Sequence, residues 1–215
     1  MSLVSTKWLF NNRENVKIID CSWHLPNEKR NSLEEYNSEH IPNAVYFDID
    51  KNSDQNSDLP HMLPSKKQWE EIVSSLGISN DDKIIIYDNS DLISSCRLWY
   101  SFLYFGHNKE LVYILNGGLE KWNKEKLVTT NIKTDLVKTK YSANENKEMV
   151  KNLDEINDNI EEKKFKLVDA RSIDRFEGRI AEPREGLRSG SIKNSICLPF
   201  KEVINKDKTF KSLEQ

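Results

Sequence analysis

The sequence predicts an α/β fold, a central parallel sheet flanked by helices, followed by an incomplete second copy of the same unit. Three observations carry this. Apolar runs of strand length alternate with segments of helical period between residues 16 and 124. Residues 83–87, KIIIY, form a continuous apolar strand, as suits a parallel sheet covered on both faces. The chain also echoes itself. IIDCSW around Asp20 is matched by LVDARS around Asp169, and HIPNAVYFD from His40 by SIKNSICLPF from Ser191. Asp169 follows Asp20 by 149 residues and Ser191 follows His40 by 151, nearly one offset, which points to a duplicated unit.

Taken in order, residues 4–12 read as a short helix with Trp8 and Leu9 turned inward, and 16–21 as a strand ending at Asp20 and Cys21. A helical turn is expected at 32–38 and a strand at 44–47. Residues 51–64 form a polar loop without periodicity, long enough to suggest function. Ser65 is a helix N-cap with Gln68 as its capping-box partner, and Trp69, Ile72, Val73 and Leu76 follow at helical spacing up to Gly77. After the strand 83–87 come a turn at 88–92, a helix at 93–105, a strand at 111–115, and Gly117-Gly118 opening a helix that holds Trp122. The glycine pair suits a tight strand-to-helix turn; no P-loop lysine follows it. Trp8, Trp69, Trp99 and Trp122 fall at core spacing. Domain bounds are expected at 1–128, a linker at 129–147 rich in Lys, Thr and Asn, and a partial second domain at 148–215. That domain should hold a helix at 152–162, strands at 166–169 and 195–198, and a helix plus tail from 201. Spacing from the first copy puts the counterpart of the strand 83–87 beyond position 215, so its sheet should have unpaired edges.

Composition narrows the function classes. Net charge is −3, from 32 basic and 35 acidic residues, which gives no reason to expect a nucleic-acid partner or an anionic membrane. No apolar run reaches the length of a membrane span, and no basic segment followed by an apolar stretch opens the chain, so a cytoplasmic location is expected. Cys21, Cys96 and Cys197 are far apart, with neither metal spacing nor a disulfide framework.

The motifs DCSW, EHIPNAVYFDID, HMLPS, YDNSD with RLWYSFLYFGH, NGGLEKW and RFEGRIAEPREGLRSG stand in one order from Asp20 onward. With them the chain resembles the tandem-domain rhodanese family of sulfurtransferases, and within it the 3-mercaptopyruvate sulfurtransferases, alongside thiosulfate sulfurtransferases. The resemblance implies transfer of sulfur from a small anionic donor, through a cysteine persulfide, to a thiol acceptor or cyanide. It implies no metal or organic cofactor; a thioredoxin-like protein is a candidate acceptor. The family's PEPR reads AEPR here, and its second GHIPG reads GSIKN, so the turn before the second-copy strand is expected to be looser.

Arg175 and Arg184 lie nine residues apart on a turn-prone loop. Two planar guanidinium forks suit a carboxylate, although two exposed arginines are also ordinary surface charge. The resemblance makes them the substrate-binding arginines, with Arg184 favouring mercaptopyruvate. It makes Asp50 and His61 a catalytic proton relay, a role that suits an imidazole oriented by a carboxylate; otherwise they are a turn aspartate and a loop histidine. Asp20 and Asp169 are expected to bond turn N–H groups. In this family the turn after the apolar strand of the second copy carries the catalytic cysteine. Asp88 ends that strand in the first copy, 68 residues after Asp20; the same spacing from Asp169 reaches position 237, and the sequence has 215 residues. The first copy is therefore expected to be silent and the chain to be truncated before its nucleophile. The three cysteines present read as structural. The rival reading is a non-catalytic rhodanese-type module that binds small anions or serves regulation or interaction.

Overall fold

The computed structural model describes residues 2–183, 186–212 and 214. It falls into two compact units, 1–147 and 148–215.

The first unit is built on five parallel strands in the order β1-β5-β4-β2-β3. They are β1 (Leu3–Val4), β2 (Lys17–Asp20), β3 (Ala44–Tyr46), β4 (Ile84–Tyr87) and β5 (Val112–Leu115). Helices α1 (Thr6–Asn12), α2 (Ser32–Ser38), α3 (Lys66–Ser75), α4 (Ser95–Tyr104) and α5 (Gly118–Lys124) alternate with them. Successive strand residues face opposite sides of the sheet, so each strand feeds two cores. Ile19, Ile84 and Ile86 pack with Trp69, Val73, Leu98 and Phe102 of α3 and α4. Ile18, Ile85 and Tyr87 pack on the other side with Leu9, Tyr36 and Trp122 of α1, α2 and α5. This explains why β4 is apolar at every position.

Local chemistry sets the element ends. Ser65 caps α3 in a full capping box with Gln68, as its sequence indicates. Gly117 (φ +98°) and Gly118 (φ +55°) make the tight turn into α5. A Cβ on Gly118 would stand 2.5 Å from the carbonyl oxygen of Asp88. That carbonyl also accepts the Leu119 N–H at 3.0 Å.

The structure departs from the sequence expectations in four places, one of them at Arg175, which lies in the short helix Ile173–Phe176 and not on a loop. Residues 3–4 are a strand, not the start of the helix; Ser5 caps α1 instead. Two residues carry too little pattern to reveal an edge strand. Residues 129–147 run as a strap over the first unit. Thr130 bridges His40, Thr139 N–H bonds Ser74 O at 3.0 Å, and Asn144 N–H bonds Phe105 O at 2.8 Å. Tyr141 and Ala143 are buried in the core. Buried Tyr141 and Ala143 share this polar stretch with exposed Ile132, Leu136 and Val137, so apolar character alone does not mark which residues pack. Residues beyond 200 form a short 3-10 turn, Phe200–Val203, and an Ile204–Phe210 bridge in place of a helix.

The second unit contains α6 (Leu153–Glu162), β6 (Val168–Asp169), α7 (Ile173–Phe176) and β7 (Ile196–Cys197). Asn152 and Glu155 form the capping box of α6. The two strands pair in parallel, Val168 with Ile196 and Asp169 with Cys197, as Ile19 pairs with Val45 and Asp20 with Tyr46 in the first unit. Among the described residues no further strand joins them.

Gly118→Ala should destabilise the first unit by about 1–3 kcal/mol, because the residue must keep a left-handed backbone while its Cβ meets a backbone oxygen. Urea unfolding of the two proteins measures the difference.

Candidate active site

Asp50 and His61 lie at opposite ends of the loop that follows β3. The loop is closed on itself by the Asp54 N–H to Met62 O hydrogen bond at 2.9 Å and by Ser53 Oγ to Ile49 O at 2.6 Å. This brings Asp50 Oδ1 within 2.7 Å of His61 Nε2. A carboxylate only accepts, so Nε2 carries the proton and Nδ1 is left for other work. Around the pair stand two residues the sequence reading passed over. Trp23 Nε1–H donates to Asp50 Oδ2 at 3.0 Å, and its ring meets the imidazole edge-on at 4.9 Å. Arg97 Nη2 donates to the His61 carbonyl at 2.6 Å. Trp23 stands in the DCSW motif and Arg97 opens RLWYSFLYFGH, so each was marked by a motif but by no pattern of charge or spacing.

The turn after β4 is filled from within. Asp88 Oδ1 accepts the Ser90 N–H and hydroxyl, each at 3.0 Å, and Oδ2 accepts the Ser95 N–H at 2.9 Å. Ser90 and Ser94 hydroxyls bond each other at 2.9 Å. A cradle of N–H groups that would favour an incoming anion here holds the chain's own carboxylate.

The neighbouring turn is tied to it. Asp20 Oδ1 accepts the Ser22 N–H at 2.9 Å, and the Ser22 hydroxyl accepts the Asn89 N–H at 2.8 Å. Burial pushes the Asp20 carboxyl up to about 6 against the lowering effect of these Ser22 bonds. Burial likewise pushes the Cys21 thiol well up, and the Cys96 thiol up to about 12, with the Asp88 charge adding to both. Desolvation raises the Cys197 thiol too. None of the three is held as a thiolate, the nucleophilic form.

In the second unit, Asp169 Oδ1 accepts the Arg171 N–H at 2.9 Å, the same turn that Asp20 makes. Arg171 then folds back onto Asp169 and reaches Glu182 Oε1 at 2.7 Å. Glu182, with its side chain 4% exposed, also takes Arg175 through Nη2 at 2.5 Å and Nε at 3.3 Å. The Arg175 guanidinium holds the Glu182 carboxyl below its usual range, and the Arg171 side chain does the same for Asp169. Arg175 is thus held side-on, with Nη1 making no bond among the described residues. Arg184 lies outside the described residues. Glu182 and Arg171 were not singled out from sequence, because a glutamate and an arginine on a charged loop look like ordinary surface.

Among the described residues no group of three or more His, Cys, Asp and Glu side chains is arranged to hold a metal ion. Nor is any described helix long and apolar enough to cross a membrane.

Fold and site together define an α/β protein of parallel-sheet type with a loop site at the carboxyl ends of its strands. The rhodanese-like domain model matches residues 5–125, and the chain belongs to the rhodanese family. It is 36% identical, over 99% of its length, to thiosulfate/3-mercaptopyruvate sulfurtransferase 1, mitochondrial, of Arabidopsis thaliana. It is 35% identical, over its whole length, to 3-mercaptopyruvate sulfurtransferase of Mus musculus. It spans 62% of the plant protein and 74% of the mouse protein. Among solved structures it is similar to SseA from Escherichia coli, described as a 3-mercaptopyruvate sulfotransferase of the rhodanese fold. There the TM-score is 0.85 at 30% identity, covering 100% of this chain and 80% of the other.

The raised Asp20 carboxyl has a consequence for stability. The unfolded state ionises first as pH rises from its ordinary value, 3.8, to about 6, so the folded state binds more protons in that window and loses stability through it. The loss should be on the order of 3 kcal/mol, complete above about pH 6. Asp20→Asn should flatten this part of the stability profile, as read by denaturant titrations between pH 4 and 7.

Proposed function

We propose that this chain carries the donor-binding and proton-relay parts of a sulfurtransferase. Such an enzyme moves sulfur from 3-mercaptopyruvate, or thiosulfate, through a cysteine persulfide to a thiol acceptor or cyanide. The observation that carries the reading is similarity along 99–100% of the chain, through both units, to proteins named as such sulfurtransferases. On this reading residues 1–128 are the non-catalytic rhodanese-like copy, 129–147 connect it onward, and 148–215 belong to a second copy that carries the donor-binding arginines.

The chemistry assigns each group a task. A thiolate attacks the donor sulfur, and the carbon–sulfur bond breaks with its electron pair going to carbon. That carbon takes a proton and leaves as pyruvate, while the sulfur stays as a persulfide. Arg175 and Arg184 hold the donor carboxylate; for Arg175 an Nη1 end that makes no bond among the described residues supports this, since Glu182 takes Nε and Nη2. Asp50 and His61 move the proton, with the 2.7 Å bond holding Nε2 and leaving Nδ1 to exchange it. The raised thiols of Cys21, Cys96 and Cys197 support a nucleophile other than these three. The acceptor we propose is a thiol of the thioredoxin-like kind in the cytoplasm.

One observation favours a second reading, a non-catalytic module that acts in regulation or interaction. The Asp88 carboxylate already fills the loop cradle of the first unit.

A coupled assay of pyruvate release, run beside equilibrium binding of 3-mercaptopyruvate, separates the possibilities. The 215-residue chain should bind the donor saturably without turnover. Arg175→Ala should weaken that binding roughly 10- to 150-fold, the loss of one charge-assisted hydrogen bond of about 1.5–3 kcal/mol. Unchanged affinity in this variant would reject the assignment. Steady pyruvate release would place the nucleophile at one of the three cysteines, to be identified by Cys→Ser changes.

A further inference from the structure

The closed loop brings Asp50 and His61 near each other, but its own bonds do not fix the orientation of either side chain. The Asp50 side chain is 64% exposed, so water competes for its carboxylate at every rotamer. His61 sits at φ +58°, a left-handed conformation that is uncommon and costly for a residue with a Cβ. The pair therefore needs restraint from outside, and two other segments supply it.

Trp23 comes from the turn after β2. Its indole N–H takes Oδ2 of Asp50 at 3.0 Å and so turns Oδ1 toward His61. The same indole packs edge-on against the imidazole, at 86° between ring planes. One residue thus restrains both partners, the carboxylate by a hydrogen bond and the ring by contact.

Arg97 comes from α4. Its guanidinium donates to the carbonyl of His61 at 2.6 Å and holds the left-handed backbone from behind. Among the described residues Arg97 makes no ion pair, and burial lowers its pKa, as expected for a half-buried guanidinium without an anion. A cation kept in that setting for one backbone carbonyl points to a demand on geometry at His61.

We infer that Trp23 and Arg97 are positioning residues for the Asp50–His61 pair, the first aligning the carboxylate and the second fixing the backbone that carries the imidazole. Their importance to catalysis rests on the proton-relay reading above; their effect on the geometry does not.

Proton NMR of the 215-residue chain tests this without any turnover. An imidazole Nε2–H in a short bond to a carboxylate gives a far-downfield resonance that exchanges slowly with water. Asp50→Asn identifies that signal by abolishing it. Trp23→Phe keeps an aromatic edge and removes only the N–H. Arg97→Met keeps the stem and removes the donor; Arg97→Lys restores one donor. The signal should vanish, or exchange at least about tenfold faster, in Trp23→Phe and Arg97→Met, the rate change expected for a lost bond of about 1.5 kcal/mol or more. It should return in Arg97→Lys, with backbone amide spectra otherwise native. A signal of unchanged exchange rate in folded Trp23→Phe or Arg97→Met overturns the inference, and so does its absence from the unsubstituted chain. Should Arg97→Met fail to fold, Trp23→Phe decides alone. Failure of the donor-binding assay would leave this NMR result standing, so the two failures are distinct.

Discussion

Strands β2 and β4 run parallel and in step, with Lys17 opposite Ile84 and Asp20 opposite Tyr87. Because both are buried and share a register, their carboxyl ends stop at the same level, and the two turns that follow must lie side by side. Three bonds lock them: Cys21 N–H to Tyr87 O at 2.8 Å, Asn89 N–H to the Ser22 hydroxyl at 2.8 Å, and Ser94 Oγ to Cys21 O at 2.5 Å. The crevice beyond the carboxyl ends of such strands is where open α/β sheets gather ligands. Trp23 leaves one of these turns and Arg97 follows the other along α4. The alignment of Asp50 with His61 therefore depends on the register of two strands to which neither residue belongs.

The two units show how one turn can be put to different uses. Asp20 and Asp169 accept the N–H two residues on at the same distance, 2.9 Å. In the first unit that residue is Ser22, whose short hydroxyl ties into the neighbouring loop. In the second it is Arg171, long enough to bond back to the aspartate and across to Glu182. The environments set opposite electrostatics. Burial raises Asp20, whereas a cation lowers Asp169. A carboxylate that ends a strand thus holds its proton to higher pH through desolvation in one unit and is matched by an arginine in the other.

Anions supplied by the chain occupy much of what would otherwise attract a ligand. Asp88 sits in the cradle of N–H groups after β4, and Glu182 takes one edge of Arg175. The first closes its site, since the carboxylate uses both oxygens on the loop itself. The second takes Nε and Nη2 of Arg175 and so holds its guanidinium in one orientation.

Much of the fold was legible in the sequence because its signals are local. The capping box at Ser65, the apolar run at β4 and the repeated strand-and-turn motif each lie within a few residues. The motifs also marked Asp50 and His61, which stand eleven residues apart on one closed loop. What only the tertiary structure decided is what meets across the sheet: the strap whose Tyr141 and Ala143 complete a core far from them in sequence, the indole and guanidinium that converge on one imidazole, and the glutamate shared by two arginines. Periodicity and capping are properties of neighbours along the chain, so sequence determines them. Side chains brought together by strand register leave no such trace until the strands have paired.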